Sequence, residues 1–162
     1  MRIAVILHER HDTWAQQLRT RLADRPVRWY QTRSAADLEA AVAGLSCAVV
    51  LIDLGRNLTE GLADLARLRD LGTSAKVLVL DPDAVPGVPL LARELGATHV
   101  LSGFAAPPVV SDLLDTWVAA ASRQADREGW SRRLEPGTPT DAESWIDAVI
   151  HDLAPGADGL LA

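Results

Sequence analysis

Five short apolar runs, each followed by a longer segment of helical period, constrain this chain more than any other feature. The runs are Ile3–Leu7, Val27–Tyr30, Ala48–Ile52, Val77–Leu80 and Thr98–Leu101. Runs this short and this apolar read as strands covered on both faces. Between them, large apolar residues recur every three or four positions, the spacing of one helix face. Trp14, Leu18 and Leu22 form the first such stripe, and Leu38, Val42 and Leu45 the second, behind the capping residue Ser34. Leu62, Leu65 and Leu68 lie within a helix expected over Leu58–Arg69. A fourth helix is expected over Val88–Leu95, closed by Gly96, and a fifth over Val109–Ser122.

Strand–helix alternation of this kind implies a parallel sheet with helices on both faces. Right-handed crossovers and five strands favour an α/β, flavodoxin-like (βα)5 three-layer sandwich of strand order 2-1-3-4-5. Such a sheet binds ligands at the carboxyl ends of its strands, near strands 1 and 3. His8, Glu9, Asp53, Asp81 and Ser102 fall there. Residues 1–123 would form this domain and 124–138, charged and containing Gly and Pro, a linker. Residues 139–162 would form an amphipathic helical tail. Thr140 and Glu143 have capping-box spacing, and Trp145, Ile146, Val149, Ile150 and Leu153 make one stripe.

Composition narrows the function classes. The formal net charge is −6, which repels phosphate backbones, and no basic cluster exceeds Arg132–Arg133. Nucleic-acid binding is therefore not expected, and one acidic tail helix is too little for a helix-turn-helix. The apolar start is too short for a signal peptide, and no run suits a membrane helix. The lone Cys47 fits a reducing compartment and a small buried hydrophobe. The expected location is cytoplasmic. The sequence carries no nucleotide-binding glycine loop, nucleophile elbow or paired metal-ligand spacing.

The segment Ala48-Val49-Val50-Leu51-Ile52-Asp53-Leu54, then Gly61-Leu62, Leu65 and Leu68, resembles the centre of a response-regulator receiver (CheY-like) domain. Leu95-Gly96-Ala97 before the fifth strand and Ser102-Gly103-Phe104 after it add to the resemblance, which spans about residues 1–123. It implies that Asp53 occupies the phosphoacceptor position. It also implies two acidic metal-holding residues after strand 1, a hydroxyl after strand 4 and a lysine after strand 5. Here at most one carboxylate, Glu9, remains after strand 1. Asp81 stands at the hydroxyl position and Ser102 at the lysine position. Lys76, the only lysine, lies at the wrong end of strand 4.

These replacements remove one cation and add one anion. At about 4 Å and an effective dielectric of about 20, each charge pair is worth roughly 4 kcal/mol. A phosphoryl dianion on Asp53 would face that penalty unless Mg²⁺ or an arginine such as Arg10 or Arg56 offset it. Glu9, Asp53 and Asp81 are the candidate Mg²⁺ ligands; otherwise no cofactor is expected. The plainer reading of Asp53 is an inherited strand-end carboxylate. His8 and His11 read as surface groups.

The combined expectation is a degenerate pseudo-receiver without catalysis. It would act as a protein–protein interaction or regulatory module in bacterial signalling or assembly, meeting a protein partner or a second copy of itself. The alternative is a single-domain response regulator phosphorylated on Asp53. Interaction candidates are Phe104, Trp117, Trp130, Trp145, Ile146 and Val149, on the helix 4–strand 5–helix 5 face and the tail; core packing is the simpler reading of Trp117.

Overall fold

The computed structural model describes residues 2–134 except Ser46 and Arg56, with side chains through Arg127. Arg56, the side chain of Trp130, and the tail residues Trp145, Ile146 and Val149 lie outside the described residues.

Strands β1 (Ile3–His8), β2 (Val27–Thr32), β3 (Ala48–Asp53), β4 (Lys76–Asp81) and β5 (His99–Ser102) alternate with helices. These are α1 (Thr13–Arg21), α2 (Ala35–Val42), α3 (Leu58–Asp70), α4 (Val88–Glu94) and α5 (Pro107–Leu134). All strand pairs are parallel, in the order β2-β1-β3-β4-β5, as the alternation implied.

Side chains alternate across the sheet and build two cores. Ile3, Val5 and Leu7 of β1 pack with Leu18 of α1 and with Leu114 and Trp117 of α5. Ala4 and Ile6, one residue out of step, pack with Leu38 of α2, Leu65 of α3 and Ala92 of α4. The result is three layers.

Local chemistry fixes the helix starts. Ser34 accepts a hydrogen bond from the Asp37 N–H and Asn57 accepts one from the Glu60 N–H, each satisfying a first-turn donor. Gly61 has a steric reason: a Cβ there would lie 2.5 Å from Cδ2 of buried Leu54.

Two expectations change. Trp117 offers no docking surface: it is 8% exposed within the core. Lys76 Nζ lies 5.8 Å from its ring centroid, so the lone lysine serves a cation–π contact at the start of β4. Helix α5 ends at Leu134 rather than Ser122, so residues 124–134 are helical rather than linker. Strong helix formers such as Ala119, Ala120, Ala121, Gln124 and Ala125 carry it on. A single Gly129 costs only about 1 kcal/mol, and after Pro107-Pro108 at the helix start the next proline is Pro136. Contacts divide the chain after Ala125.

Candidate functional site

The strand register brings the sequence-flagged residues to one end of the sheet. Asp53 pairs with Leu80 across β3–β4, and Asp81 pairs with Ser102 across β4–β5. His8 closes β1, opposite Ile52 and Thr32.

Asp53 is half-buried, and its Oδ1 accepts the Gly55 N–H at 2.9 Å. A glycine suits this turn because a Cβ would meet that same oxygen at 3.1 Å and Pro82 at 3.2 Å. Asp53 lines a small cleft of about 20 Å³ together with His8, Glu9, Arg10, Arg33, Glu60 and Asp64. That volume suits about one water molecule.

Glu9 is 3% exposed and turns back onto its own chain. Its Oε2 accepts the Trp14 N–H at 2.9 Å and its Oε1 the Ala15 N–H at 2.8 Å, so it caps α1. Burial raises its pKa above the ordinary 4.5, the two backbone hydrogen bonds oppose that rise, and the nearby Asp53 and Asp12 charges add to it.

Asp81 is 1% exposed. Its Oδ2 accepts the Val85 N–H at 3.0 Å and the Ser102 hydroxyl at 3.4 Å. The side chains at the hydroxyl and lysine positions of the resemblance are therefore bonded to each other. Residue 102 supplies a neutral donor to the sheet wall.

Divalent ions such as Mg²⁺ need several oxygens aimed at one point. Glu9 has given both of its oxygens to helix N–H groups, and Asp81 has its own partners. Among the described residues, no group of three His, Cys, Asp or Glu side chains is placed to hold a metal. Glu9, Asp53 and Asp81, as arranged, do not form a three-carboxylate site.

Two residues take roles the sequence did not suggest. His8 is buried, not a surface group. Its Nε2 lies 3.0 Å from Asp64 Oδ2 and its Nδ1 2.9 Å from Thr32 Oγ1. An ionised carboxylate only accepts, so Nε2 carries hydrogen; in the neutral ring Nδ1 then accepts from the Thr32 hydroxyl. Asp64 Oδ1 also accepts from Arg67 at 3.0 Å. Asp64 shares the buried α3 face with Gly61, Leu65 and Leu68, at positions i, i+3, i+4 and i+7. A carboxylate inside an apolar stripe was the available signal.

Around the cleft, Glu9, Asp53, Glu60 and Asp64 stand against Arg10 and Arg33. Counting every carboxylate as ionised and His8 as neutral, four negative and two positive charges leave the described lining residues at −2. Both arginines are engaged: Arg10 pairs with Glu60, and Arg33 with Asp12 at 2.7 Å.

A second surface stands out. Phe104, after β5, is 91% exposed. Leu90 and Leu91 of α4 and Val109 of α5 are also exposed large hydrophobics. Among the described residues, no helix is long and apolar enough to cross a membrane.

No family model matches the chain, and no curated protein matches it. Solved structures do, and they share one fold. A signal receiver domain from Vibrio parahaemolyticus is 18% identical with a TM-score of 0.63, over 81% of this chain and 98% of that one. A response regulator from Thermotoga maritima is 11% identical with a TM-score of 0.62, over 74% and 99%. A two-component response regulator from Clostridium difficile is 10% identical with a TM-score of 0.60, over 74% and 97%. The chain has the CheY-like receiver fold.

Proposed function

We propose that this chain is a non-catalytic pseudo-receiver, a cytoplasmic protein–protein interaction or regulatory module in bacterial signalling or assembly. The observation that carries this reading is the bond between Ser102 and buried Asp81. Ser102, a neutral donor, stands at the position where the resemblance implies a lysine, and buried Asp81 where it implies a hydroxyl, which leaves a phosphoryl group on Asp53 without that positive charge. The net negative cleft and the use of Glu9 as a helix cap support the same reading. The exposed apolar residues on α4, the β5–α5 loop and α5 are the working surface in this reading, with a protein partner or a second copy as occupant. Nucleic acid and membrane are not part of it.

The second reading, a response regulator phosphorylated on Asp53, draws on one observation: Asp53 ends a central strand with its side chain half-buried rather than sealed. Incubation with acetyl phosphate and Mg²⁺, followed by intact-mass measurement, separates the two. The expected result is no phosphoryl adduct. An adduct that disappears in Asp53→Asn would overturn the pseudo-receiver reading.

A further inference from the structure

The cleft over Asp53 is bridged by two contacts between the end of β1 and α3. The inner one is the His8–Asp64 hydrogen bond, and both residues are buried. The outer one is the Arg10–Glu60 ion pair, whose side chains are 50% and 49% exposed. All four residues line the same cleft as Asp53. Asn57, the cap of α3, also donates to Glu60, which holds the outer carboxylate at the helix start. Thr32 braces His8 from β2.

We propose that these two rungs form a clasp that sets access to Asp53: a buried inner rung fixed by geometry, and an outer rung that opens with ionic strength. The physical asymmetry supports the division. An exposed ion pair is weak and screened within about 8–10 Å at ordinary salt, whereas a buried hydrogen bond is hardly screened. When the outer rung opens, the loop after β1 keeps its inner tether, so the cleft loosens without coming apart. Ionic contacts at the cleft mouth therefore regulate entry. The clasp concerns access alone and does not depend on whether Asp53 can take a phosphoryl group.

The test places a reporter thiol at the acceptor position, Asp53→Cys in a Cys47→Ser chain, and measures its alkylation by uncharged iodoacetamide. Adding Glu60→Gln is expected to speed labelling on the order of threefold, the range open to an exposed pair. Adding Asp64→Asn is expected to speed it on the order of tenfold, because a buried charged acceptor is lost. Raising salt to about 0.5 M should accelerate the parent and leave Glu60→Gln nearly unchanged. Equal rates in the parent and Glu60→Gln, or equal salt acceleration in both, would overturn the clasp. Glu60 is exposed, so that comparison stands even if Asp64→Asn folds poorly. Alkylation rates judge the clasp and phosphoryl mass judges the pseudo-receiver reading, so the two failures are distinguishable.

Discussion

Glu9 carries a charge that its surroundings work against. Burial outweighs the two N–H groups it caps, so its folded pKa lies above 4.5. The folded state then binds this proton more readily than the unfolded chain. Its contribution to stability is fully present below pH 4.5 and is lost as pH rises through the folded value. Relative to Glu9→Gln, the wild-type chain should therefore lose urea resistance as pH rises above 4.5 and level off above the folded pKa. Paired urea titrations across that range check it. A wild-type chain that gains on the variant would mean that the Trp14 and Ala15 N–H groups win over burial. At this scale the sequence was half legible. It placed Asp53, Asp81 and Ser102 at one sheet end because strand ends follow from apolar run lengths. It could not place His8 inside, because a lone histidine reveals no partner, and Asp64 lies 56 positions away.

Helices α4 and α5 divide the apolar residues between core and surface. Val88 and Ala92 of α4 are buried, while Leu90 and Leu91 point outward. On α5, Val110, Leu114, Trp117 and Val118 are buried, while Val109 is exposed. Phe104→Ser or Leu90→Asp should leave stability within about 0.5 kcal/mol, because exposed positions outside special contacts are tolerant. The same changes should weaken partner capture or self-association, read by sedimentation and pull-down. Trp117→Ala, by contrast, should cost about 3–5 kcal/mol, as large buried aromatics do. Unaltered association in both surface variants would remove this face from the proposal. The five strands and five helices were legible because their periods differ. Boundaries were less so. Strand β2 runs to Thr32, past Tyr30, because polar Gln31 and Thr32 still pair with β1. Helix α5 runs on because charged residues that look like a linker are also good helix formers.

Taken as a whole, the receiver fold accounts for residues up to Ala125 and leaves the acidic C-terminal stretch to be explained. Its amphipathic stripe, Trp145 to Leu153, is a sequence property, and its proposed use is to meet a partner. Removing residues 135–162 should leave the thermal midpoint within a few degrees, since about 1 kcal/mol moves it roughly 2–8 °C across domains of about 60–250 residues. Partner capture should fall. Equal capture by the full and shortened chains would confine the working surface to α4, β5 and α5.

The bond between Ser102 and Asp81 also couples what a substitution at either position can do. A lysine placed at position 102 would meet the Asp81 carboxylate as a counter-ion in the sheet wall and be neutralised there. Exchanging Asp81 for a hydroxyl would remove that counter-ion and offer the Val85 N–H a neutral acceptor in place of a charged one. A free positive charge at this end of the sheet would therefore need positions 81 and 102 to change together.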